Sequence, residues 1–241
     1  MKLLALETSA KSVSAAVTQD GVLLAESFQC TGLTHSRTLL PMVDALLKNA
    51  ELSLDSIDGF AVAAGPGSFT GLRIGVSALK GLAWTLEKPC VGISTLEAMA
   101  YNLLCAEGLI VCAMDARRNQ VYNALFAVHG GVLERLCPDR AIGLDELHAS
   151  LRGETRPIFV LGDGAALAHG YLTQQGVRCT LAPAALRYQR ASGVALAAEA
   201  AFARGEGVSA QDLRPVYLRV SQAERERAAR LAQAAQDQHS L

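Results

Sequence analysis

Leu3-Leu4-Ala5-Leu6-Glu7-Thr8-Ser9-Ala10 and Leu109-Ile110-Val111-Cys112-Ala113-Met114-Asp115-Ala116 decide the fold of this chain, because the same device is written twice. Each is a short aliphatic run that reads as a buried strand and stops at an acidic residue in a polar break. After the first come Val13 to Val17, the turn Asp20-Gly21, and Val22 to Phe28; after the second come Val121 to Val128, Gly130-Gly131, and Val132 to Leu136. Asp-Gly and Gly-Gly accept the positive φ of a tight hairpin, so each set predicts a three-stranded meander. Strand, acidic turn, strand, glycine turn, strand, recurring about half a chain apart, predicts a duplicated α/β unit with two lobes. The expected division is an N-terminal lobe over 1–105, a C-terminal lobe over 106–220 and a flexible or helical tail over 221–241. That tail holds only Leu231 and Leu241 as large apolar residues.

Composition narrows the function. With 241 residues, 51% apolar and 19% charged, the chain is long and aliphatic enough for a sizeable core, which excludes a disordered protein. Net charge is -1, so the chain as a whole offers no attraction to phosphate backbones or anionic lipid. Six cysteines at 30, 90, 105, 112, 137 and 179 lack metal-ligand spacing and read as small buried hydrophobes in a reducing compartment. Glu7 interrupts the opening apolar run before a secretory segment is complete, and no later stretch reads as a membrane span, so a cytoplasmic protein is expected.

Two helices stand out in the first half. From His35 to Ala50, Leu39, Leu40, Val43, Leu46 and Leu47 recur at helical spacing, and Pro41 belongs near a first turn or at a kink. A strand over Phe60 to Ala64 turns at Gly65-Pro66-Gly67 into a second helix, Phe69 to about Leu86, in which Gly71, Gly75, Ala78 and Leu82 form a row of mostly small residues. Such a row lets another backbone approach closely, either within the chain or from a partner. A greasy stripe beside it would make an apolar patch large enough to need a partner. A charge at Val43 or Gly75 is then expected to block pairing without unfolding the monomer.

Acidic loops in two repeated halves resemble the superfamily of actin, the ATP-driven heat-shock chaperones and sugar kinases. Such loops carry a glycine after the acid so that backbone N–H groups close on a phosphate. Glu7-Thr8-Ser9-Ala10 and Asp115-Ala116-Arg117-Arg118 have none, which makes Glu7, Ser9 and Asp115, with Gly162 and Gly164 of a later turn, candidates for a vestigial nucleotide site. Gly65 to Gly71 is neither a phosphate-binding Walker loop nor a dinucleotide fingerprint. His35 lacks a second metal ligand, because Leu39 stands one turn later. No nucleophile motif, metal site or cofactor is implied.

Leu4-Ala5-Leu6-Glu7-Thr8-Ser9, His35-Ser36-Arg37-Thr38-Leu39-Leu40-Pro41, Gly65-Pro66-Gly67-Ser68-Phe69-Thr70-Gly71-Leu72-Arg73-Ile74-Gly75, Asp115-Ala116-Arg117 and Pro215-Val216-Tyr217-Leu218-Arg219 resemble the TsaB (YeaZ) family. The resemblance implies a non-catalytic scaffold or activator subunit. With a TsaD-like transferase and a TsaE-like ATPase, it would serve the transfer of threonylcarbamoyl to the adenosine beside the anticodon of tRNA. It implies pairing through the first two helices, hence through His35, Leu39, Leu40, Val43, Leu46, Leu47, Gly71, Ile74, Gly75 and Ala78. A homodimer is expected for the isolated chain, tRNA is reached only through the complex, and no membrane is involved. The alternative is an actin-like nucleotide-binding phosphotransferase or ATPase.

Overall fold

A computed structural model describes residues 1–219, so the expectation for the tail over 221–241 lies outside the described residues. The first half runs β1 (Lys2–Glu7), β2 (Val13–Gln19), β3 (Val22–Gln29), α1 (His35–Asn49), β4 (Gly59–Gly65), α2 (Phe69–Leu86), β5 (Cys90–Ser94) and α3 (Thr95–Ala100). Asp20 and Gly21 take φ values of 49° and 79°, the left-handed turn that the dipeptide predicts. The sheet order is β3-β2-β1-β4-β5, with β1 to β3 antiparallel and β4 and β5 added parallel to β1.

The second half runs β6 (Gly108–Asp115), β7 (Gln120–His129), β8 (Val132–Arg135), β9 (Arg140–Gly143), α4 (Leu144–Ser150), β10 (Ile158–Leu161), α5 (Ala165–Gln174), β11 (Thr180–Leu181), α6 (Ala184–Arg187) and α7 (Ala191–Ala203). Its sheet, traced from β8, has the order β8-β7-β6-β10-β11, the same path as the first. β9 is an addition that pairs with β7. The duplicated two-lobe α/β fold is therefore present strand for strand.

Chain order alone does not divide the two lobes. α1 and α2 cover one face of the first sheet, and the other face is covered by α7, from the far half of the chain. α3 in turn packs Leu96, Met99 and Ala100 on Ile110, Cys112 and Phe126 of the second sheet. After α7 the chain returns to the first lobe, where Val208 bridges to Cys90 and Ala210 and Leu213 join the core beneath α1 and α2. Residues 191–213, from the second half of the chain, thus pack on the first sheet. The reason is steric: a β-carbon on Gly193 of α7 would sit 2.1 Å from the Ala98 carbonyl, so only an Ala- and Gly-rich helix packs this closely between the lobes.

α1 runs through Pro41, which lies on the exposed side of the helix, away from the core that Leu39, Met42 and Val43 enter. Ser94 caps α3 by accepting the Glu97 N–H at 3.2 Å, as the Ser-x-x-Glu spacing predicts. Glu97 does not reach back; it pairs with Arg135 at 2.9 Å. Cys90 and Cys112 are buried, but Cys30 and Cys105 are exposed, so the reading of every cysteine as a core residue is corrected. Among the described residues, no helix is long and apolar enough to cross a membrane.

Candidate functional site: the interlobe cleft and the first two helices

The β1–β2 loop, the β6–β7 loop, the start of α2, the turn before α5 and residues 217–219 line a cavity of about 420 Å³ between the lobes. Its two acidic loops are in opposite states. Glu7, Thr8 and Ser9 are completely buried. One Glu7 carboxylate oxygen, Oε1, accepts the Ser9 N–H at 2.5 Å. Burial pushes the Glu7 carboxyl up to about 7, reinforced by negative Asp163 and opposed by hydrogen bonds from Ser9 and Thr8. Burial also raises Asp163, against the Gln189 amide that donates to it at 3.1 Å.

The start of α2 closes onto this loop. The Ser68 N–H donates to the Ser9 carbonyl at 2.6 Å, and Thr8 Oγ1 donates to the Gly71 carbonyl at 2.8 Å. A β-carbon at Gly71 would lie 2.1 Å from the Thr8 carbonyl oxygen, and one at Gly75 would lie 2.3 Å from Thr8 Oγ1. Gly71 and Gly75 of the row therefore face the chain's own β1–β2 loop, and a partner backbone does not reach these two positions.

The second loop is open. Asp115 accepts the Arg117 N–H at 2.7 Å, and Arg117, Arg118 and Asn119 follow at φ values of 65°, 56° and 54°, left-handed without a glycine. The Arg117 side chain is 87% exposed. Gly162 and Gly164 have a packing reason: β-carbons there would stand 2.1 Å from the Ala113 carbonyl oxygen and 2.8 Å from the Asp115 nitrogen. The turn they form carries Asp163 to the cavity.

One element went unassigned in the sequence reading although its residues were quoted. Residues 215–219 cross the mouth of the cleft. Val216 N–H donates to the Ala64 carbonyl at 2.7 Å, and Tyr217 stacks on Phe69 of α2 at 4.6 Å. Arg73 lies 3.8 Å over the same ring and donates to the Tyr217 hydroxyl. Arg219 then reaches the other lobe, donating to the Ala116 carbonyl at 2.8 Å and to the Gln120 side chain. No periodicity marks such a strap; the cluster of Pro, Tyr and Arg was its only signal.

On the helix pair, Leu39, Val43, Leu46 and Leu47 are covered by the chain's own core, as are Gly71 and Gly75. Leu40 is 49% exposed, and Ile74 and Ala78 are half-buried. The stripe is thus absorbed by the first sheet, and only its solvent edge is left. The expectation that a charge at Val43 or Gly75 spares the monomer is corrected, because both sites are interior. His35 Nε2 meets the Ala10 carbonyl at 2.7 Å, tying α1 to the β1–β2 loop. Among the described residues, no group of three or more His, Cys, Asp or Glu side chains is arranged to hold a metal ion.

Comparison with known proteins places this geometry. A family model described as TsaD, tRNA N6-adenosine threonylcarbamoyltransferase, matches residues 29–227. The tRNA threonylcarbamoyladenosine biosynthesis protein TsaB of Bacillus subtilis (strain 168) is 33% identical over 226 residues, 93% of this chain and 96% of that protein. The protein of the same name from Escherichia coli (strain K12) is 39% identical over 126 residues, 52% of this chain and 54% of its own length. YeaZ from Pseudomonas aeruginosa superposes with a TM-score of 0.77 at 30% identity, over 90% of this chain and 99% of that one. Component A of (R)-2-hydroxyglutaryl-CoA dehydratase from Acidaminococcus fermentans is 13% identical with a TM-score of 0.51, over 86% of this chain and 99% of that one, and shares the fold alone. The fold is the duplicated actin-like two-lobe α/β fold, and the chain belongs to the TsaB (YeaZ) family of tRNA threonylcarbamoyladenosine biosynthesis.

Proposed function

We propose that this chain is a non-catalytic subunit that pairs with a TsaD-like transferase and, with a TsaE-like ATPase, supports threonylcarbamoyl transfer to tRNA. One observation carries the reading: the acidic loop of the first lobe is sealed against α2. Thr8 and Ser9 bond to the helix end where a phosphate would be held, and Glu7 is buried with its carboxyl at about 7. In this reading the loop is a brace that fixes the pitch of α2, and the solvent edge of the helix pair, with Leu40, Ile74 and Ala78, is the pairing face. The isolated chain would form a homodimer through the same edge. tRNA would be met through the complex.

The competing reading, an actin-like ATPase, is favoured by the cavity that Asp115 and Asp163 line between the lobes. Pairing separates the two. Leu40→Glu combined with Ala78→Glu is expected to abolish co-purification with the transferase while circular dichroism and the melting temperature stay as in the unmodified chain. Undiminished pairing of a folded double variant overturns the placement. ATP turnover by the purified chain, lost in Asp115→Asn, would favour the ATPase.

A further inference from the structure

We infer that residues 215–219 are a latch that sets the opening between the two lobes, with its post on α2 and its catch, the Arg219 guanidinium, on the β6–β7 loop. The inference concerns the chain by itself and does not rest on the pairing role.

The lobes are joined on two sides, and the joints differ in kind. On one side α3 and α7 meet in a tight apolar seam, where Gly193 admits the Ala98 carbonyl. Beside it, completely buried Gln189 has its carbonyl held by the Ser12 hydroxyl of the first lobe at 2.9 Å, and its amide donates to Asp163 of the second at 3.1 Å. Packing this close leaves little room for sliding. On the other side, beneath α1 and α2, the chain leaves the core at Leu213 and the strap crosses the mouth of the cavity.

Three contacts fix the strap to the first lobe. The Val216 N–H donates to the Ala64 carbonyl at 2.7 Å, and the Val216 carbonyl oxygen would lie 2.1 Å from a β-carbon on Gly65, so glycine there admits the strap backbone. Tyr217 stacks on Phe69 and accepts from Arg73 Nε at 3.2 Å. Among the described residues, every hydrogen bond from the strap to the second lobe comes from the Arg219 side chain. It donates to the Ala116 carbonyl at 2.8 Å and to the Gln120 side chain, and lies 5.7 Å over the Tyr122 ring. Ala116 and Gln120 are the two ends of a turn that the Ala116 N–H closes onto the Gln120 carbonyl at 3.0 Å, so the guanidinium grips the loop at its base.

A backbone bond, a close backbone passage and an aromatic stack hold one end, and one half-buried side chain holds the other. Polar contacts at a wet cleft mouth exchange with water at small net cost, so the joint opens at Arg219, and the lobes then turn about the α3–α7 seam. Closed, the catch also steadies Arg117, Arg118 and Asn119 in their left-handed conformation.

The test places nitroxide labels on Cys30 of the first lobe and Cys105 of the second, both exposed, in the full chain with Cys137 and Cys179 replaced by serine. Their separation is measured by double electron–electron resonance after dilution with unlabelled chain. One narrow distance distribution is expected, and Arg219→Ala should broaden it at least about twofold. The same variant should speed amide exchange over residues 116–121 by about tenfold or more, while β1 and β6 keep their protection. Tyr217→Ala, which pulls the post and leaves the catch, should broaden the distribution likewise and serves if Arg219→Ala does not fold. A distribution already broad in the unmodified chain, or one left unchanged in either folded variant, overturns the inference. Faster loop exchange with unchanged distances also overturns it, because Arg219 would then order the loop without joining the lobes. Neither measurement involves the transferase, so failure here leaves the pairing reading standing.

Discussion

The two acidic loops occupy the same place in duplicated halves, and one is shut while the other is open. At the first, Glu7, Thr8 and Ser9 are wholly buried under the start of α2. At the second, Asp115 is followed by exposed Arg117 and Arg118, and the helix-bearing turn at Gly162 to Gly164 packs on β6 rather than on the loop tip. Duplication supplied two equivalent loops; what each does depends on whether a neighbour closes over it. The shut loop bears on stability and on the position of α2, and the open one holds its arginine side chains in water.

Breaking the shut loop should give the largest effect. Gly71→Ala drives a β-carbon into the Thr8 carbonyl, whose backbone cannot yield, and is expected to cost about 3 kcal/mol or more in chemical denaturation. Glu7→Gln comes next, and its sign depends on pH. The Glu7 carboxyl holds its proton up to about 7 in the folded chain, against 4.5 for the ordinary group. Between those values the folded state binds more protons, so stability falls as pH rises through that window, by roughly 3 kcal/mol in total. Glu7→Gln removes the fall: it should be more stable than the unmodified chain at pH 8 and nearly equal to it at pH 4.5. Denaturation midpoints at the two pH values check this. At the open loop, Arg117→Ala/Arg118→Ala should change stability by no more than about 0.5 kcal/mol, which sharpens the contrast.

The strands were legible because Leu3 to Leu6 and Leu109 to Met114 are continuous aliphatic runs ended by acids, and Asp20-Gly21 encodes its own turn. The partnership of α7 was not legible. Its buried residues, Ala191, Gly193, Val194, Ala195, Ala197, Ala198 and Ala201, give no sharp face and no hint of which sheet they meet. The glycine row of α2 showed that something approaches closely, but a missing β-carbon does not record what, and the visitor proved to be Thr8. Leu39 to Leu47 likewise recorded an apolar stripe without recording that β2 and β4 consume it. Glu7 and Asp115 were readable by position; Asp163 in the cleft, the seal over Glu7 and the strap at Tyr217 depend on contacts between residues far apart in sequence.

The central claim is that this chain supports a transferase without performing chemistry in its own cleft. Reconstituted tRNA threonylcarbamoylation tests it directly, with this chain omitted, present, or present as Glu7→Gln/Asp115→Asn. The account predicts loss of product on omission and an unchanged rate with the double variant. Full product without the chain, or a rate that collapses in the variant while pairing and folding persist, would contradict it.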